Sequence, residues 1–381
     1  MCIRDRDEYF LDVINKLGLK DKVVVTGYLS NQELHGLFRG MKGLIFPSLF
    51  EGFGIPVVEA MYFHKLIASS NLTSLPEIGC DSIFYFNPKK PDEVLDAINY
   101  LFRHEMTFEM TEDYDKKLVE YHPQIMIQKY MDVFKLAIAN RRSDVYKRQQ
   151  PFIRTLNADG INLVGNFKAE TGLGQSCRLV ADEIIASGIS CSLYQYEQLG
   201  IMAEGQYGDY EEKVSSNLPH NINVLHINPH EIGLAFMQNH EKIWNGRYNI
   251  GFWLWELEEF PEQWTPCFHC VDEIWTPSEF ITNAVRKKTS LPVVTIPYHI
   301  EASVKGNYNR SDFSLPDNQF LFLMMYDRTS MTKRKNPEGV IKAFKKAFKP
   351  NENVGLVIKI NNCLLYTSQH PCFRRTSRSR S

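Results

Sequence analysis

The stretch that most constrains the fold runs from Gly43 to Met61. Gly43-Leu-Ile-Phe-Pro-Ser48 is a short apolar run ending in a turn, the pattern of a buried strand. Glu51-Gly-Phe-Gly-Ile-Pro56 follows, and Pro56 suits the first turn of a helix, where a missing N–H costs nothing. Val57, Val58 and Met61 then fall where they can pack inward. Two carboxylates bracket this junction. Glu51 sits in the loop at the carboxyl end of the strand, and Glu59 in the first turns of the helix. Open α/β sheets bind ligands in that crevice. Gly52 and Gly54 let the backbone approach a ligand closely, and the free N–H groups of the helix start favour an anion such as a diphosphate.

Phe46-Pro-Ser-Leu-Phe-Glu-Gly-Phe-Gly-Ile-Pro-Val-Val-Glu-Ala-Met61, followed by Ser74-Leu-Pro-Glu77, resembles the retaining glycosyltransferases of family 4, which have the GT-B fold. The resemblance implies that Glu51 reaches the donor sugar and Glu59 accepts hydrogen bonds from the ribose diol. It also implies that Gly52, Phe53, Gly54 and Ile55 line the sugar and diphosphate by main chain. One departure stands out: the family usually has Gly and Pro at the positions of His64 and Leu66, so the end of this helix is expected to sit differently.

Three segments fit no local structural logic: Met1-Cys-Ile-Arg-Asp-Arg6, Asp144-Val-Tyr-Lys-Arg-Gln149 and Cys363-Leu-Leu-Tyr-Thr-Ser368. The oligonucleotide AGATGTGTATAAGAGACAG encodes the second in one frame and Met-Cys-Ile-Arg-Asp in another. Its reverse complement encodes the third. That string is a transposon end used in preparing sequencing libraries. The expectation is a conceptual translation of joined reads, with 1–6, 143–149 and 363–381 set aside from fold reasoning.

Composition adds bounds. The 381 residues suffice for two or three domains, and 44% hydrophobic with 23% charged residues is ordinary for a soluble globular chain. A net charge of -2 favours neither nucleic acid nor an anionic membrane as partner. No run of about 18 apolar residues is present, so no spanning helix is expected. Five cysteines remain outside the suspect segments, an odd and scattered set that suits a reducing cytoplasm. Cys267-Phe-His-Cys270 is a lone pair, read as helix packing before zinc or redox use.

Residues 7–142 alternate strand and helix, with strands at 22–29, 43–48 and 66–69 and helices at 30–41, 91–102 and 123–140. Ser30-Asn-Gln-Glu33 reads as a capping box. Residues 150–318 start afresh, with strands near 160–165, 190–194, 221–228, 248–253 and 273–278. One helix there carries Leu179, Ile184 and Ile185 as candidate core. From Phe320 a further strand, a basic loop, a helix and the strand 354–360 follow. The fold class is therefore α/β, with Rossmann-like parallel sheets. By resemblance, 7–142 is the later, donor-binding part of a GT-B enzyme, 150–318 an acceptor domain, and 319–362 the start of a second donor domain. Placing 150–362 before 7–142 nearly rebuilds one complete enzyme.

Lys333-Arg-Lys335 lies between a strand and a helix. In the family, basic residues on this loop clamp the donor diphosphate, which implies Lys335, then Arg334, as the cations that stabilise the leaving oxygen. Gly172 and Gly174 lack the third glycine of a dinucleotide fingerprint. The family places this loop near the donor phosphates, and a tight strand-to-helix turn explains the glycines equally well. Asp113-Tyr-Asp115 has the Asp-x-Asp spacing of another transferase fold but reads as chance in a polar stretch between helices. His226 and His230 are candidates to face an acceptor, with packing as the alternative. Trp253, Trp255, Trp264 and Trp275 are mainly core candidates.

The expected function is transfer of a sugar from a UDP- or GDP-sugar to a hydroxyl of a glycan or lipid-linked acceptor. Retention, metal independence and a role in polysaccharide biosynthesis come with the resemblance. No cofactor beyond the nucleotide sugar is expected, and the location is cytoplasmic, including peripheral contact at the inner face of a membrane. The alternative is an inactive pair of sugar-nucleotide-binding fragments.

Overall fold

The computed structural model describes residues 11–26, 29–144, 156–157, 159–169, 171–196, 210, 213–302, 306–327 and 332–361. The adapter-like segments, Asp144 apart, lie outside the described residues, as do 27–28 of the first expected strand. The chain divides into two compact units: Met1–Phe50, Ile55–Asp115 and Ala302–Ser381 in the first, Glu51–Gly54 and Lys116–Glu301 in the second.

The first unit is built on six strands, β1 (Val23–Val25), β2 (Gly43–Phe46), β3 (Leu66–Ser70), β4 (Phe84–Phe86), β11 (Phe320–Asp327) and β12 (Val354–Asn361). They form one sheet in the order β1-β12-β11-β2-β3-β4, and every pairing is parallel. Each residue of β2 and β3 is buried, as expected for strands covered on both faces. Segments from opposite ends of the sequence are therefore interleaved, with Phe322 in register with Gly43 and Leu323 with Leu44.

Helices cover this sheet for reasons visible in the sequence. Helix α1 (Asn31–Gly40) starts at the expected capping box, with the Ser30 N–H donating to Glu33 at 2.8 Å. Helix α2 (Ile55–Tyr62) follows the glycine turn, and Val57, Val58 and Met61 are fully buried. Short helix α3 (Leu75–Ile78) follows β3. Helix α4 (Pro91–Arg103) buries Val94, Ala97, Ile98 and Leu101, a helical stripe against the sheet. Asp113 and Asp115 do not lie between helices; they are inside α5 (Phe108–Val119). Residues two apart on a helix point to different neighbours. Asp113 accepts from the Ser82 N–H at 3.0 Å, whereas Asp115 meets His64 Nε2 at 2.9 Å.

The second unit holds β5 (Ile161–Gly165), β6 (Cys191–Gln195), β7 (Ile222–His226), β8 (Tyr248–Phe252), β9 (Glu273–Thr276) and β10 (Val293–Thr295). Their order is β10-β9-β8-β7-β5-β6, again all parallel. Its helices are α6 (Pro123–Asp144), α7 (Gly172–Ala186), α8 (Pro229–Asn239) and α9 (Glu279–Arg286). The buried face of α7 is Cys177, Val180, Ala181 and Ile184, so Leu179 and Ile185 are only half-buried. Of the three expected core positions, Ile184 is fully buried.

A row of buried asparagines crosses β5, β7 and β8. Asn162 Nδ2 donates to Asn223 Oδ1 at 2.9 Å, and Asn223 Nδ2 donates to Asn249 Oδ1 at 2.9 Å. The three are in register across the sheet. Their remaining donors reach the backbone carbonyls of His220, Ile243 and Arg247. Trp253 and Trp275 are fully buried in this unit, which makes both core residues. Cys267 donates to the Pro229 carbonyl, and both Cys267 and Cys270 are free thiols.

Candidate functional site

In the first unit the strand order reverses between β11 and β2: successive strands run outward from β11 to β12 on one side and from β2 to β3 and β4 on the other. Loops leaving the carboxyl ends of such a pair diverge and leave a crevice, the usual ligand position in this architecture. Here the loop after β2 is tied to the short helix that follows β11. The Leu49 N–H donates to the Arg334 carbonyl at 2.6 Å, and Arg334 Nη1 donates to the Phe50 carbonyl at 2.9 Å. Ser48 Oγ also lies 3.5 Å from the Arg334 carbonyl. Arg334 and Lys335 are half-buried in α10 (Thr332–Lys335). Asn336 then turns the chain in the left-handed region (φ 51°), with its side chain donating to the Pro88 carbonyl, before α11 (Pro337–Ala347). Asparagine is one of the few residues that tolerate that backbone.

Glu59 projects from α2, the helix that follows β2 directly. It is buried, and its Oε1 lies 3.5 Å from His35 Nε2 of α1. Ile55 is half-buried at the helix start. The helix ends at the position where the family resemblance calls for Gly. His64 has φ 46°, and the bonds Lys65 N–H to Ala60 O and His64 N–H to Met61 O close a Schellman motif. Histidine thus occupies a left-handed site that glycine fills without strain.

The rest of the motif groups with the second unit. Glu51 and Phe53 are buried there, and Gly54 needs a backbone (φ 119°) that side chains rarely adopt. Ser278 Oγ donates to the Gly52 carbonyl at 2.7 Å. The Phe53 ring meets Tyr298 edge-on at 5.0 Å and Tyr121 at 5.8 Å. The structure thus brings Glu59, Ile55, Arg334 and Lys335 into one unit and Glu51, Gly52, Phe53, Gly54, Gly172 and Gly174 into the other.

Gly172 and Gly174 are not in a loop. They are the first and third residues of α7, whose N-cap Thr171 accepts from the Gly174 N–H at 3.2 Å. A Cβ at Gly174 would fall 2.0 Å from the Ala169 carbonyl oxygen, so close backbone approach accounts for this glycine. Two residues along, Ser176 Oγ bridges His226 Nε2 at 2.7 Å and Tyr298 Oη at 2.5 Å. All three are buried. Burial pushes His226 down to about 3 and raises Tyr298 above the usual phenol range. A neutral, stacked and enclosed His226 packs rather than faces an acceptor, whereas His230 is exposed beside Glu231.

Sequence reasoning missed His35 and Glu183. His35 stands among Leu34, Leu37 and Phe38 on the buried face of α1, and a polar residue on an apolar face was the available signal. Glu183 is buried in α7, with no hydrogen-bond partner for Oε2 among the described residues and Oε1 3.8 Å from His299 Nδ1. Burial first, then Asp182, pushes its carboxyl up to about 7.

Among the described residues no helix is long and apolar enough to cross a membrane. Residues 4–121 match the family described as Glycosyl transferases group 1. Over 88 residues the chain is 36% identical to the Serotype-specific mannosyltransferase WbdA of Escherichia coli, covering 23% of this chain and 11% of that protein. It is 35% identical over 68 residues to the O-antigen chain mannosyltransferase B of Escherichia coli, 18% of each. It is 39% identical over 66 residues to the MMP alpha-(1->4)-mannosyltransferase of Mycolicibacterium hassiacum, 17% of this chain and 16% of that one. The chain thus spans between 11% and 18% of the length of these relatives.

Proposed function

We propose, from a chain whose residues 4–121 match the group 1 glycosyltransferases, a hexosyltransferase that moves a sugar from a nucleotide-sugar donor to a hydroxyl of a glycan or lipid-linked acceptor. The observation that carries this reading is the junction of α10, which follows β11, with the loop after β2, with Glu59 on the next helix and Lys335 beside Arg334 in α10. Glu59 is assigned to the ribose hydroxyls and Glu51 to the donor sugar. Lys335 and the N-terminal end of α2 offset the diphosphate charge in place of a metal. The names of three relatives favour mannose as the sugar and polysaccharide assembly as the setting. UDP and GDP are both candidate carriers, and transfer with retention belongs to the same reading.

The test is incubation of the full chain with a panel of UDP- and GDP-sugars, following release of nucleoside diphosphate. Release from one donor, reduced at least a hundredfold in Glu51→Ala, is the expected result. An active chain in which Glu51→Ala turns over normally would remove Glu51 from its role.

A second reading rests on a separate observation, the three hexapeptides encoded by one oligonucleotide. It makes the chain a join of the end of one transferase and the beginning of another, such that placing 150–362 before 7–142 nearly rebuilds a complete enzyme. Long-read sequencing of the source DNA decides it, because an uninterrupted reading frame through all three hexapeptides refutes a join.

A further inference from the structure

The Glu59 carboxylate is buried, and a residue that the sequence did not single out faces it. His35 is 7% exposed and Glu59 8%, with His35 Nε2 3.5 Å from Glu59 Oε1. The imidazole packs against one aromatic ring that is itself stacked on another. Phe63 lies 5.6 Å from it at a tilt of 49°, and Phe63 itself stacks on Phe38 at 5.8 Å with the rings within 7° of parallel. His35 and Phe38 come from α1 and Glu59 from α2; Phe63 follows α2 directly, so the contact joins the two helices.

We propose that His35 is the positioning residue for Glu59, aiming its carboxylate at the vicinal hydroxyls of a donor ribose. This rests on the proposed function, which gives Glu59 the ribose. A carboxylate that accepts two hydroxyl hydrogens has to be ionised and fixed in direction. A buried carboxylate keeps its charge at lower cost when a hydrogen-bond donor is in range. Each carboxylate oxygen has two lone pairs, so Oε1 can take the His35 N–H and still accept a hydroxyl. The 3.5 Å separation exceeds an ordinary hydrogen bond. Contacts of this kind are often long in the unliganded protein and tighten when the ligand is bound. Phe63, stacked on Phe38, lies against the imidazole and on this proposal limits its rotation away from Glu59.

The experiment measures binding of GDP and UDP, each beside its 2′-deoxy counterpart, to the full chain by calorimetry. The ratio of the two affinities reports on the 2′-hydroxyl of that diol alone, so a general loss of stability leaves it unmoved. For the better nucleotide, the wild type is expected to favour the ribose form about tenfold, the worth of one well-placed hydrogen bond. Glu59→Ala is expected to bring the ratio near one. His35→Ala is expected to lower it to about threefold or less, and His35→Gln, which keeps a side-chain N–H donor, to retain most of it. A full ratio in His35→Ala, with Glu59→Ala collapsed, overturns the role of His35 and leaves Glu59 its own. A wild type that ignores the 2′-hydroxyl, or a Glu59→Ala variant that still distinguishes it, overturns the ribose assignment and this inference with it.

Discussion

Arg334 Nη1 donates to the Phe50 carbonyl at 2.9 Å and fastens α10 to the loop after β2. That bond engages one arm of the guanidinium in holding backbone, which separates the roles of the two neighbouring cations. Lys335→Ala is expected to lower kcat for sugar transfer or donor hydrolysis about a hundredfold, the scale for losing one preorganised charge partner. Arg334→Ala is expected to lower the melting temperature by a few degrees, matching about 1 kcal/mol for the lost bond, and to raise KM. Equal kinetic losses in both variants would show that the division is wrong.

His64 holds a left-handed backbone at the end of α2. Replacing it with glycine removes a cost of about 1 kcal/mol. The exposed contact with Asp115 is lost as well, but surface pairs of this kind contribute little. His64→Gly should therefore melt higher than the wild type in a thermal scan. An unchanged or lower melting temperature argues against strain at this position.

Asn223 is the middle member of the buried asparagine row. Asn223→Leu removes the acceptor of Asn162 and the donor to Asn249 at once, and leaves the Ile243 carbonyl with Arg247 Nη1 as its side-chain donor. Urea unfolding should show a loss of about 2–4 kcal/mol, because buried groups left unpaired lose their full hydration. A loss under 1 kcal/mol would mean that water or neighbouring backbone replaces the row.

Glu183 supplies a pH test. Its carboxyl titrates near 7 in the folded protein because burial, then Asp182, disfavours the charge, against an ordinary value of 4.5. The folded state binds this proton more tightly than the unfolded chain, so the associated stability is complete below pH 4.5 and is lost as pH rises through 7. The groups around it are His299 at 3.8 Å, Tyr130 and Asp182. Burial lowers His299, so the imidazole is neutral across the upper part of this window. Glu183→Gln stays uncharged throughout, and its melting temperature should fall less than that of the wild type between pH 5 and pH 8. Parallel curves for the two proteins would remove Glu183 as the source.

The α/β class and most elements were legible because their signals are local. The Ser30–Glu33 box, Pro56 and Pro91 mark helix starts, and Gly43–Phe46 is apolar throughout. Strand β4 went unseen because Phe84–Phe86 is only three residues long, too short for a period to show. The Gly172 segment read as a loop because glycines suggest turns, while the Thr171 cap that starts a helix there is a single side chain. His35 and Glu183 were hidden for a different reason. Spacing marks His35 only as a polar residue on an apolar face, and the significance of both depends on a partner brought close by folding.

The strand order has a consequence for how the first unit forms. A pair from late in the sequence, β11 and β12, is wedged between β1 and β2, which are consecutive in the chain. Until that pair arrives, β2 presents a bare, apolar flank and β1 has nothing to align it. Encounters between such distant segments are slow, and unpaired flanks of this kind invite association with other chains. Newly made protein should therefore pass through an interval of vulnerability in which dilution or chaperone binding governs the yield.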